Sequence, residues 1–149
     1  MGRADPGGRP GIQRRADALD AQLSQLNDEY RQGLRSCRFT TFVVTHEAFG
    51  YLADRYGLHQ LGIEGLTPEA EPSAAKLQSA ETAITDGDAA PAVFYEGTSE
   101  GRRIGESVAG DLGVQAIPLA TLEFAPSTGN YVTVMRENLG NLERGLQCE

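Results

Sequence analysis

Apolar residues along this chain recur with alternating periods. Over residues 14–36, Leu19, Leu23, Leu26, Tyr30 and Leu34 are spaced by four, three, four and four, with polar side chains between them, which predicts a long amphipathic helix. Phe42, Val43 and Val44 then form a short β-branched run that fits a strand buried on both faces. At Thr45 the period changes. Phe49, Leu52 and Tyr56, with Ala48 and Ala53 beside them, predict a helix that ends at Gly57 and whose first turn includes His46.

The same alternation continues. Residues 60–64 (QLGIE) predict a second strand, and the polar, twice-interrupted stretch GLTPEAEPS after it cannot be helical throughout. Ser73 is placed to cap a helix with the apolar face Leu77, Ala80 and Ile84. A turn over residues 86–91 leads into a third strand, 92–95, with Glu96 at its carboxyl end. After a loop over residues 97–99, Ile104, Val108 and Leu112 mark the next helix, which Gly113 ends. Residues 114–119 predict a fourth strand, 120–129 a loop with Pro and Gly, and 130 to about 147 a closing helix. The stripe of that last helix is Tyr131, Val134, Met135, Leu139, Leu142 and Leu146.

Strand alternating with helix four times specifies a three-layer α/β domain with a four-stranded, mainly parallel sheet, preceded by a long helix. Right-handed crossovers put every carboxyl strand end on one rim, together with His46, Glu96 and the 120–129 loop. Ligands bind at that edge in open α/β sheets. A histidine in the first turn of a helix is kept neutral by the helix dipole and has a lone pair to give to a metal, although the same dipole requires carboxylates or further ligands nearby. The plainer role for His46 is to cap the helix or sit satisfied in a crevice. A third role is general acid or base with Glu96 or Glu123 in a small enzyme, but the chain has no P-loop, no G-x-G-x-x-G, no G-x-S-x-G and no evident nucleophile with a partner base.

The 149 residues suffice for one domain with a core, and no apolar stretch is long enough to span a membrane. Residues 1–13 read as a disordered lead-in and contain no apolar block of a secretory signal. Residues 1–15 hold Arg3, Arg9, Arg14 and Arg15 against Asp5, so the rest of the chain is more acidic than the total charge of −8, which excludes nucleic acid as a partner. Cys37 and Cys148 bracket the predicted fold. Bridged, they would stabilise it by roughly 4 to 5 kcal/mol and imply an oxidising compartment; two separate buried thiols in a reducing one fit the composition equally.

Four blocks, THEAFGYLADRYGL at 45–58, LTPEAEPS at 66–73, VFYE at 93–96 and NYVTVMRENLGNL at 130–142, resemble in order and spacing the carboxyl-terminal lobe of the zinc and manganese solute-binding proteins of bacterial ABC transporters. The blocks cover nearly everything from Cys37 to Cys148. The helix over residues 14–36 resembles the end of the backbone helix that links the two lobes in that family, leaving 37–149 as the carboxyl-terminal α/β lobe.

The resemblance implies a non-enzymatic protein, active outside the cytoplasm, that binds zinc or manganese in a cleft between lobes and works with a membrane permease. It implies that His46 is a metal ligand and that Cys37 pairs with Cys148. The family's carboxylate ligand follows the last strand in an Asp-Pro-Leu type segment. Here the segment is LATLEF, with Ala120 in the aspartate's place, so either the carboxylate is lost or Glu123 replaces it. Glu69, Glu71 and Glu96 match family positions and are expected to support loops around the cleft. Two ligands do not complete a site. The expectation is therefore a lobe without its amino-terminal partner or secretion signal that alone binds zinc weakly or not at all. A docking module is the remaining alternative, and an exposed apolar face along the 14–36 helix would favour it.

Overall fold

A computed structural model describes residues 9–64, 73–123, 125–126 and 128–149. Helix α1 (Arg9–Gly33) is followed by β1 (Thr41–Val44), α2 (Gly50–Tyr56), β2 (His59–Gly62), α3 (Ala74–Asp86), β3 (Ala92–Tyr95), α4 (Ser99–Leu112), β4 (Gln115–Pro118) and α5 (Tyr131–Leu146). The four strands form one sheet in the order β2-β1-β3-β4, and every pair is parallel. No helix among the described residues is long and apolar enough to cross a membrane.

Side-chain alternation in β1 divides the core. Phe42 and Val44 point to the face covered by α1, α2 and α5, where they pack with Tyr30, Phe49, Phe94, Ile117 and Leu142. Val43 points to the other face and joins Ile63, Ala80, Val93, Val108 and Ala109 beneath α3 and α4. Phe42 and Phe94 meet edge to face with ring centroids 5.6 Å apart, and Gly145 of α5 lies directly against the Phe94 ring. The expected three-layer architecture is therefore the observed one.

Only half of the α1 stripe is used. Leu26, Tyr30 and Leu34 are buried, and the Tyr30 hydroxyl donates to the Met135 carbonyl at 2.6 Å, but Leu19 and Leu23 are exposed. Residues 9–13 are helical where a disordered lead-in was expected; residues 1–8 lie outside the described residues. In α5 the expected stripe holds except at Tyr131, which is half exposed, while its neighbour Val132 is buried.

The largest departure is at His46. Helix α2 begins at Gly50, not near Thr45, because the Phe49 N–H is taken by the Gln60 side chain of β2 at 3.0 Å and the Ala48 N–H turns back onto the His46 carbonyl at 2.9 Å. His46 is thus in the bend between strand and helix, and the argument from the helix dipole does not apply to it. Cys37 and Cys148 form a disulfide across an isolated antiparallel bridge, so the bridged alternative is the one realised.

Candidate functional site

Parallel pairing determines what shares the carboxyl rim. Val44 pairs with Phe94, so His46 and Glu96 each lie two residues past the last pair that joins β1 to β3. Their side chains meet there: His46 Nε2 is 3.9 Å from Glu96 Oε2, and both residues are buried. That separation is too long for a hydrogen bond. Two donors on one tetrahedral zinc stand about 3.3 Å apart, so the pair falls short of a preformed chelate by roughly half an ångström.

The other Glu96 oxygen, Oε1, accepts a hydrogen bond from the Thr121 hydroxyl at 2.5 Å. Thr121 comes from the loop after β4. Leu119 N–H continues the ladder onto the Tyr95 carbonyl at 2.8 Å, and the chain then leaves the sheet. Ala120, which stands where the resemblance expects an aspartate, has no side-chain donor for a metal. Its backbone is held instead by Asn138 of α5, whose Oδ1 accepts from Ala120 N–H and whose Nδ2 donates to Ala120 O, both at 2.8 Å. Asn141 adds a bond from Nδ2 to the Pro118 carbonyl at 2.9 Å. Leu122 then takes a left-handed conformation, φ 59°, strained for a branched side chain, and turns the loop toward Glu123.

Glu123 is exposed, and no hydrogen bond or ion pair among the described residues joins it to His46. Glu69 and Glu71 lie outside the described residues. Among the described residues no group of three or more His, Cys, Asp or Glu side chains is close enough to hold a metal ion. A further carboxylate at the rim is Glu64, two residues past Gly62 in β2. It is buried, its Oε1 has no hydrogen-bond partner among the described residues, and burial, with a smaller contribution from Glu100, pushes its pKa up to about 7. Lys76 donates to the Glu64 carbonyl at 3.0 Å and pairs with Glu47 at 3.8 Å, so its ammonium is engaged elsewhere.

His46 and Glu96 were legible from strand ends alone. Thr121, Asn138 and Asn141 were not. The one available signal was Asn138 itself, a polar residue inside the apolar stripe of α5.

The sequence matches the family described as zinc-uptake complex component A, periplasmic (ZnuA), over residues 1–145. The high-affinity zinc uptake system protein ZnuA of Bacillus subtilis (strain 168) is 30% identical over 149 residues, covering 97% of this chain and 46% of that protein. The laminin-binding protein Lbp of Streptococcus pyogenes superposes with a TM-score of 0.81 at 35% identity, covering 95% of this chain and 56% of that one. A Zn(II)-bound mutant variant of AdcAII from Streptococcus pneumoniae superposes at 0.77 with 28% identity, covering 94% and 50%. The chain thus spans about half the length of the relatives it matches.

Proposed function

The chain belongs to the ZnuA family of periplasmic zinc-uptake components, and from that membership we propose that it forms the carboxyl-terminal lobe of a solute-binding component that carries zinc, with manganese as the alternative cargo, to an ABC importer. The family is one of solute-binding proteins, not enzymes, and this removes the acid–base role considered for His46. The observation that carries the reading is the meeting of His46 and Glu96 on the carboxyl rim of a parallel sheet.

In this reading His46 is a metal ligand and the Glu96 carboxylate lies beside its ring. Glu123 supplies the carboxylate that Ala120 cannot, from a loop already tied to Glu96 through Thr121. An amino-terminal lobe, joined through α1, supplies the remaining donors, because zinc takes four. The lobe works outside the cytoplasm, in keeping with the Cys37–Cys148 disulfide, and docks with a membrane permease. Without the other lobe it binds zinc weakly or not at all. Isothermal titration of the chain tests this: weak heats that vanish in His46→Ala support it, and sub-micromolar binding unaffected by that substitution contradicts it.

One observation favours the docking-module reading. Ile12, Leu19 and Leu23 of α1 are exposed, and so is Tyr131. Self-association in sedimentation experiments, abolished by Leu23→Asp, would be its signature.

A further inference from the structure

The α5 stripe places Asn138 between Met135, Leu139 and Leu142, where the periodicity calls for an apolar residue. Asn138 is 3% exposed. A buried amide is destabilising unless its donors and acceptor are used, and here both ends are used on a single residue, Ala120. Strand β4 is at the sheet edge, so among the described residues no further strand lies on its outer side. Asn138 and Asn141 stand in for that strand. The result is a loop fixed by a helix side chain at the point where it passes the rim.

Two groups depend on where the loop passes. Thr121, one residue on, places its hydroxyl on Glu96 Oε1 and so leaves Oε2 as the oxygen that faces His46. Glu123, three residues on, starts from the same anchor. A glutamate otherwise has three side-chain torsions and would sweep both oxygens past the ring; a short hydrogen bond to one oxygen fixes the carboxylate plane.

We infer that Asn138 and Thr121 are positioning residues of the metal-facing site, forming a relay in which the Asn138 amide holds Ala120, Thr121 holds Glu96, and Glu96 keeps its charged Oε2 facing the His46 imidazole at 3.9 Å. This rests on the reading of His46 as a zinc ligand.

The relay is testable without metal. Thr121→Val keeps the shape of the side chain and removes the hydroxyl, and Thr121→Ser keeps the hydroxyl. In the zinc-free chain, NMR of the Glu96 side-chain carboxyl carbon and the His46 ring should show both displaced in Thr121→Val, with the sheet amides unmoved, and both restored in Thr121→Ser. Asn138→Leu, which keeps the side-chain volume and removes both bonds to Ala120, should displace the same signals and speed exchange of the Ala120 amide by about tenfold or more. Glu96 and His46 signals that superpose on wild type in Thr121→Val overturn the relay, and unmoved signals in a folded Asn138→Leu remove Asn138 from it. With zinc added, Thr121→Val should weaken binding about tenfold. If zinc leaves the His46 ring untouched in the wild-type chain, the ligand reading fails, while the zinc-free spectra still decide the relay.

Discussion

Gly145 in α5 lies so close to the Phe94 ring of β3 that a β-carbon there would collide with its Cζ atom. The helix can therefore settle onto the sheet only with glycine at this position, and its approach also brings Asn138 to Ala120. Gly145→Ala should force the ring or the helix to move and destabilise the fold by about 1 to 3 kcal/mol, read as a lower urea midpoint at unchanged slope. Gly140 is on the same helix with nothing within 4 Å of a β-carbon. Gly140→Ala should stabilise by up to about 1 kcal/mol through helix propensity.

The Cys37–Cys148 bridge spans 111 residues and ties the end of α5 to the segment leading into β1. Serine at both positions should lower stability by roughly 4 to 5 kcal/mol in the chain-entropy account. The check is a thermal or urea transition with and without reductant. Reductant should shift the wild type toward the double variant and leave the double variant where it is.

Glu64 makes a pH prediction of definite sign. Its folded pKa, about 7, lies above the ordinary carboxylate value, so between about pH 4.5 and 7 the folded state binds more protons than the unfolded one. The stability this group contributes is present below that window and lost as pH rises through 7. Glu100 is the charge that adds to the effect, and Lys76 bonds the Glu64 backbone carbonyl. Glu64→Gln should remove this component and raise stability at pH 8 by on the order of 2 to 3 kcal/mol, with little effect at pH 4. Equal urea midpoints for the two proteins at pH 8 would refute it.

Tyr30 and Leu19 separate the two halves of α1. Tyr30→Phe removes the hydroxyl's bond to the Met135 carbonyl and should cost about 1 kcal/mol. Leu19→Ser, on the exposed half, should change the unfolding midpoint of the chain by no more than about 0.5 kcal/mol equivalent.

How far the sequence could be read follows from the range of the interactions. Phe42 to Val44 and the helix stripes are local patterns, and parallel topology then brings His46 and Glu96 together without knowledge of any particular contact. The start of α2 was missed because Gln60, eleven residues away and in the next strand, takes the Phe49 N–H. No periodicity carries that. Tyr131 obeys the spacing of the α5 stripe and is still half exposed, while Val132, outside that stripe, is buried. Thr121 and Asn138 act through bonds across 25 and 18 residues, set by where the loop leaves β4.

The proposed function requires His46 to face a bound divalent cation. The most direct measurement is a zinc titration of the intact chain followed by NMR at both histidine rings. His59 is exposed at the amino-terminal end of β2, on the opposite rim, and serves as the internal control. The His46 ring should move while the His59 ring does not, with half-saturation in the micromolar range or weaker, and Glu123→Gln should weaken the response further. A tight, sub-micromolar response that leaves the His46 ring unmoved and persists in His46→Ala would contradict it.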